Sequence, residues 1–187
     1  MRVISGKAKG KKLKAPKHSR PLTDQAKEAL FNILRGKIVD CYFLDLFAGS
    51  GAVGIESLSR GAKIAILVEL NRKAVEIIRE NLKNAGFSDR AEVYAVDVIR
   101  ALNLLDRKQA QFDIIFLGAP YDSPVLEKAL VKLGQMDLLR KSGLVIAEHR
   151  KQSKLQEKYG NLKSCRETRY GETVLTFYES GNLSGQL

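Results

Sequence analysis

The residues best suited to chemistry lie in one run, Leu44-Asp45-Leu46-Phe47-Ala48-Gly49-Ser50-Gly51-Ala52-Val53-Gly54. Apolar residues lead into a glycine-rich turn, and the spacing Gly49-x-Gly51-x-x-Gly54 matches the fingerprint of a nucleotide-type ligand seated between a strand and a helix. Glycine permits the tight turn and removes the Cβ that would hold a ligand away from the backbone amides. Glu69 ends the next apolar run, where a carboxylate can accept hydrogen bonds from both hydroxyls of a ribose. Asp97 follows a third such run, placed to meet an adenine amine while Val98 lines the base. Asp97 serves equally well as the cap of the helix that follows it.

This pattern calls for a ligand that contains a nucleoside, and two details separate S-adenosylmethionine (SAM) from a nicotinamide dinucleotide. Asp45 projects near the carboxyl end of its strand, where it suits the charged amino acid portion of SAM and repels a pyrophosphate. Asp97 supplies the second, an adenine contact beyond the third strand.

The elements that must position these residues read as a strand–helix alternation. Strands are expected at Tyr42–Leu46, Lys63–Glu69, Ala91–Val96, Phe112–Leu117 and Gly143–Glu148. Helices are expected near Gly51–Ser59, Lys73–Asn84, Val98–Leu105 and Ser123–Leu139. Ile64 to Val68 and Ile114 to Leu117 are almost wholly apolar, as strands covered on both faces must be. An open parallel sheet with helices on both sides follows. Leu162–Arg169 and Glu172–Glu179 flank Tyr170-Gly171 and predict an antiparallel hairpin at the sheet edge. Upstream, a short hairpin is expected from Arg2–Ile4 and Lys12–Ala15, and a helix capped by Thr23 and ended by Gly36.

The net charge of +11 is concentrated rather than spread. Eight basic residues (Arg2, Lys7, Lys9, Lys11, Lys12, Lys14, Lys17 and Arg20) precede the first acid, Asp24. Such an arm neutralises phosphates and releases their counterions, which favours nucleic acid over the alternatives of a solvated, flexible tail or a membrane-surface patch. It carries no aromatic residue on which a base could stack. No apolar run approaches the roughly 20 residues that cross a bilayer, and the N-terminus lacks the apolar stretch of a secretory signal. A cytoplasmic protein is expected. Cys41, Cys165, His18 and His149 are scattered, so no metal site is expected.

Arg20-Pro21-Leu22-Thr23-Asp24, Phe31-Asn32-Ile33-Leu34, the glycine run and Glu56-Ser57-Leu58-Ser59-Arg60-Gly61-Ala62 together resemble the RsmD family, bacterial 16S ribosomal RNA guanine-N2 methyltransferases. Arg2-Val3-Ile4-Ser5-Gly6 and Glu167-Thr168-Arg169-Tyr170-Gly171 extend the resemblance over nearly the whole chain. It implies an α/β fold of the Rossmann-like class I methyltransferase type. That fold has a seven-stranded, mostly parallel sheet with an antiparallel last strand, here joined by a small N-terminal hairpin and helix. Residues 1–187 would form one methyltransferase domain, with 1–36 as basic extension and helix and 41–180 as the SAM-binding core.

By motif position, the resemblance assigns Asp45, Gly49 and Gly51 to the amino acid part of SAM, Glu69 to the ribose and Asp97 to the adenine. Thr23, Phe47, Leu70 and Val98 complete the cofactor set. Arg2, Lys7, Lys9, Lys11, Lys12, Lys14, Arg20 and Arg169 would contact small-subunit ribosomal RNA, naked or in the assembled subunit, and the protein would act as a monomer.

The catalytic segment departs from the family. Asp or Asn, then Pro-Pro, then Tyr or Phe usually follows the fourth strand, whereas this chain has Gly118-Ala119-Pro120-Tyr121. In the usual motif the first side chain and a backbone carbonyl accept hydrogens from the target amine, and the aromatic ring stacks on a base turned out of its helix. Gly118 lacks that acceptor. The expectation is slow methylation, with a catalytically weak RNA-binding or assembly module and a DNA adenine amine methyltransferase as alternatives.

Overall fold

The computed structural model describes residues 1–17, 21–121 and 123–181. Its chain order is α1 (Asp24–Ile33), β1 (Tyr42–Leu46), α2 (Ala52–Ser59), β2 (Ile64–Val68), α3 (Arg72–Ala85), β3 (Ala91–Tyr94), α4 (Val98–Arg107), β4 (Phe112–Leu117), α5 (Val125–Leu133), β5 (Leu139–Arg150), β6 (Lys158–Tyr159), β7 (Leu162–Tyr170) and β8 (Thr173–Ser180). One sheet runs in the order β3-β2-β1-β4-β5-β8-β7-β6. Strands β1 to β5 pair in parallel, and β8 inserts antiparallel between β5 and β7.

The antiparallel last strand is as expected. The count is eight rather than seven because the two-residue β6 pairs with the outer edge of β7. The hairpin does lie at the sheet edge, but its second strand makes the junction with the parallel strands. β8 buries its first six residues, among them Val174, Leu175, Phe177 and Tyr178, whereas β7 alternates and is largely exposed, so burial favours placing β8 inside.

Alternate side chains of the central strands feed two cores. Phe43, Leu67, Ile114, Phe116, Ile146 and Phe177 pack on one side under α1, α2 and α3. On the other side Leu44, Leu46, Val68, Ile115, Leu117 and Val145 pack under α4 and α5. Three helices begin on side-chain caps: Thr23, Asn71 and Asp97 each accept a hydrogen bond from a first-turn amide.

Two helix ends differ from expectation. α1 stops at Ile33 and the chain turns at Leu34–Lys37, short of Gly36. α5 stops at Leu133, not Leu139, because the chain at Tyr159 packs against Gly134 so closely that a Cβ there would meet the Tyr159 carbonyl oxygen at 1.9 Å. β5 begins earlier than expected, and its register with β4 shifts between Phe112 and Ile114.

Over residues 2–14 the basic arm is docked on α1, α2 and α3 and is not a free tail. Arg2 and Lys12 form an antiparallel bridge, with Val3 and Gly10 hydrogen-bonded across the hairpin. Buried Glu56 of α2 accepts from the amides of Ile4 (2.8 Å) and Ser5 (3.0 Å), and Ser59 accepts from Ala8 (2.9 Å). Gly6 lies so close to α2 that a Cβ would sit 1.9 Å from the Ser59 oxygen. Lys27, on α1, is buried and donates to the Arg2 carbonyl at 2.9 Å. On α3, fully buried Asn81 accepts from the Lys14 amide and donates to the carbonyls of Lys14 and Ser50, each at 2.9 Å.

Asn81 therefore ties the arm to the glycine turn through three bonds to backbone groups. Asn81→Ala should destabilise the protein by about 2–4 kcal/mol, since it strands polar groups in the interior. Urea denaturation measures the loss, and trypsin should then cut the arm near Lys11 to Lys14 under conditions where the parent resists.

Candidate active site

The carboxyl ends of β1, β2 and β4 open onto a cleft of about 850 Å³. Gly49, Glu69, Leu70, Asp97, Val98 and Phe47 line it from one part of the wall, and Gly118, Ala119, Pro120 and Tyr121 from another. A smaller cavity of about 70 Å³ adjoins it, lined by Asp45, Phe47, Gly49, Gly118 and Glu148 together with Pro21 and Leu22. Thus most of the residues singled out from sequence converge on one site, drawn from elements more than 70 residues apart in the chain.

The three fingerprint glycines do different things. Gly49 has φ +58°, and nothing lies within 4 Å of where its Cβ would be. It opens the turn towards the cleft. Gly51 begins α2, and a Cβ on it would press Leu67 and Ile78 at 3.2 and 3.3 Å. Gly54 is tighter still, 2.8 Å from Leu67. Gly51 and Gly54 therefore allow α2 to pack on β2 and do not line the cleft.

Two carboxylates hold the turn. Glu69 accepts from the Gly49 amide at 2.8 Å and, with its other oxygen, from the Asn71 amide at 2.8 Å. A carboxylate has about four acceptor positions, so capacity remains for hydroxyls of a ligand. Asp45, 1% exposed, accepts from the Gly54 amide at 2.9 Å. It faces the smaller cavity rather than the main cleft. Burial pushes its carboxyl up to about 7 from 3.8, and the charges of Glu69 and Glu148 add to the rise.

Asp97 Oδ1 caps α4 by accepting from the Arg100 amide at 2.9 Å, and the residue also lines the cleft. Thr23 is not brought to the site; its hydroxyl caps α1 by accepting from Ala26. The side chains of Arg2, Lys7, Lys9, Lys11, Lys12 and Lys14 are exposed along the docked arm, with Lys14 paired to Glu80. Arg169 is exposed on β7 and paired to Glu167 at 2.9 Å. Arg20 lies outside the described residues. Among the described residues no cluster of His, Cys, Asp and Glu could hold a metal, and no helix is long and apolar enough to cross a membrane.

Sequence reasoning passed over Glu148. It lies near the carboxyl end of β5, is 7% exposed, and accepts from the Tyr121 hydroxyl at 2.8 Å. That hydroxyl also lies 3.1 Å from Thr173, and the Arg150 guanidinium stands 5.2 Å from the Tyr121 ring. The available signal was an acid closing the apolar run Leu144 to Ala147, the same position that singled out Glu69.

Residues 1–179 match the family described as Conserved hypothetical protein 95. Over 96% of this chain and 89% of the relative, the sequence is 32% identical to "Ribosomal RNA small subunit methyltransferase D" of Escherichia coli strain K12. The chain belongs to the RsmD family of methyltransferases. Another member, "Putative rRNA methyltransferase YlbH" of Bacillus subtilis strain 168, is 39% identical over 96% of this chain and 98% of its own length. The solved structure of a hypothetical protein from Thermus thermophilus superposes with a TM-score of 0.85 at 34% identity, covering 96% of this chain and 99% of that one.

The family's ligand fits these walls. SAM is a sulfonium with an ammonium group. Among the described residues, Asp45, Glu69, Asp97 and Glu148 line the cleft and its annex against only Lys17 and Arg150. An open backbone at Gly49 leaves room for the amino acid end of SAM.

The buried Asp45 carries a sign that can be measured. The unfolded chain releases this proton near pH 4, whereas the folded chain keeps it until about pH 7. Stability therefore falls as pH rises across that window, and the penalty is complete above it. Asp45→Asn retains an oxygen for the Gly54 amide and removes the penalty. Relative to the parent, its unfolding free energy in urea should rise by about 2–4 kcal/mol between pH 4 and pH 8; a flat difference would count against the raised carboxyl.

Proposed function

We propose that this chain transfers the methyl group of SAM to the exocyclic N2 amine of a guanine in small-subunit ribosomal RNA. One observation carries the reading: Gly49, Glu69, Asp97 and the segment Gly118–Tyr121 face a single cleft, so that a nucleoside-bearing methyl donor and a flat base would meet there. Family membership supports the reaction, and the names of the two relatives support the RNA.

In this reading Glu69 grips the ribose, Asp97 and Val98 frame the adenine, and the Gly49 turn carries the amino acid end. Phe47 and Leu70 close the walls around them. Tyr121 offers a ring to the extruded base, and backbone carbonyls at Gly118 and Ala119 accept from its amine. The lone pair of the nitrogen forms the new bond to carbon, the carbon–sulfur pair returns to sulfur, and the nitrogen then sheds one proton. Bringing the two reactants into line supplies much of the acceleration. The docked arm and Arg169 present cations to the phosphates, and their fixed geometry adds register to what charge alone would leave unoriented. The chain works as one domain and as a monomer, in the cytoplasm.

Incubating the protein with labelled SAM and small subunits that lack the mark, then mapping the labelled base, tests cofactor and substrate together. One guanine N2 should be methylated. Glu69→Ala should weaken binding of S-adenosylhomocysteine in calorimetry by about tenfold to hundredfold, the cost of losing charged hydrogen bonds to a ribose. Label in adenine of DNA, or heat with a nicotinamide dinucleotide and none with S-adenosylhomocysteine, would overturn the reading.

A further inference from the structure

The catalytic segment lacks a side-chain acceptor at Gly118, and the structure assigns that role to Glu148: we infer that its carboxylate, delivered from β5, receives the hydrogens of the target amine. The inference rests on the amine-methylating reading above and specifies how the site completes it.

The placement begins in the sheet. Leu117 of β4 pairs with Ala147 of β5 in parallel register, so the next residues lie side by side: Gly118 just past the end of β4, and Glu148 still in β5, where its other neighbour is Leu175 of β8. A Cβ built on Gly118 would lie 3.3 Å from Glu148 Oε2 and 2.9 Å from Phe116 Cε1. The carboxylate of Glu148 thus already occupies the ground beside residue 118. An aspartate at 118 would have to move the Phe116 ring and bring two carboxylates into contact, which is costly for both.

The carboxylate is also oriented. Tyr121 donates to Oε1 at 2.8 Å and is itself within 3.1 Å of the Thr173 hydroxyl, while Oε2 is the oxygen nearer Gly118. Glu148 is the one charged side chain that lines both the main cleft and the small cavity, among the described residues. An amine presented beside Gly118 would meet it there. The same Tyr121 would stack on the base, so a single residue fixes both the ring and the acceptor.

The chemistry balances with these groups alone and the methyl donor. Oε2 accepts an N–H of the amine and turns the nitrogen lone pair towards the methyl carbon. As the nitrogen–carbon bond forms and the carbon–sulfur pair passes to sulfur, the nitrogen becomes cationic. Its proton moves to Glu148 and from there to water.

A purely structural role, anchoring the Tyr121 hydroxyl, predicts different behaviour from a role at the amine. Glu148→Gln keeps the shape and an oxygen for Tyr121 but cannot take a proton. Its kcat on small subunits should fall about tenfold to hundredfold, with KM for SAM and the calorimetric Kd for S-adenosylhomocysteine held within about twofold. Glu148→Ala should fall at least as far. Adding Gly118→Asp to Glu148→Ala, which removes the competing carboxylate and leaves only the Phe116 ring to shift, should recover at least tenfold, whereas Gly118→Asp alone should give no gain.

Undiminished kcat in Glu148→Gln would overturn the assignment, as would failure of Gly118→Asp to rescue an alanine variant that still binds S-adenosylhomocysteine. Parent protein that binds this ligand yet methylates no RNA would overturn the substrate reading, and Glu148 with it. An active parent with an equally active Glu148→Gln would overturn Glu148 alone.

Discussion

Two carboxylates, buried Asp45 and half-buried Glu69, clamp one turn, and the rest of the molecule is arranged around that clamp. Asp45 from β1 holds the Gly54 amide and Glu69 from β2 holds the Gly49 amide, so the segment between strand and helix is fastened at both ends. The clamp works only because α2 can approach β2 closely, which Gly51 and Gly54 permit. Phe47, in the left-handed region at φ 68°, is held by the same surroundings and contributes its ring to both cavities. Binding site and fold are therefore not separable here. The bonds that close the turn also set the position of the walls.

The arm adds a second constraint. Glu56, Ser59 and Asn81 are buried polar side chains whose partners are arm backbone groups, the arrangement required when irregular chain lies against a core. Because Asn81 also binds the Ser50 carbonyl, the arm and the glycine turn share one anchor. Beyond it, Pro16 and Lys17 line the cleft, and Pro21 and Leu22 line the small cavity. A stretch that reads as a cationic tail is thereby part of the site wall, with Lys17 on the cleft and Lys7, Lys9, Lys11, Lys12 and Lys14 exposed.

With the acceptor assigned to Glu148, a neighbouring strand of the parallel sheet supplies the functional group and the site stays where it is. Side chains at the carboxyl ends of adjacent parallel strands project into the same crevice, which is where ligands bind in such sheets. A Cβ on Gly118 would lie 3.3 Å from Glu148 Oε2, so acceptors delivered from β4 or from β5 would serve the same point. The cost is packing: Gly118 now sits against Phe116 and Glu148, and the position no longer has room for a larger residue without repacking.

Much of this was determined by sequence alone, because it depends on neighbours in the chain. The glycine turn, the apolar runs of β1, β2 and β4, the caps at Thr23 and Asp97 and the carboxylate of Glu69 are local patterns, and β4 appears at its expected bounds. Membership of the family was legible from motifs spread over the whole length. What only tertiary structure decided involves residues far apart. The early end of α5 is set by Tyr159 and the inner place of β8 by burial on both faces. Glu56 and Asn81 convert the arm from tail to wall. Glu148 becomes a neighbour of Gly118 only through the pairing of β4 with β5, a contact between residues 30 apart whose register no local pattern encodes.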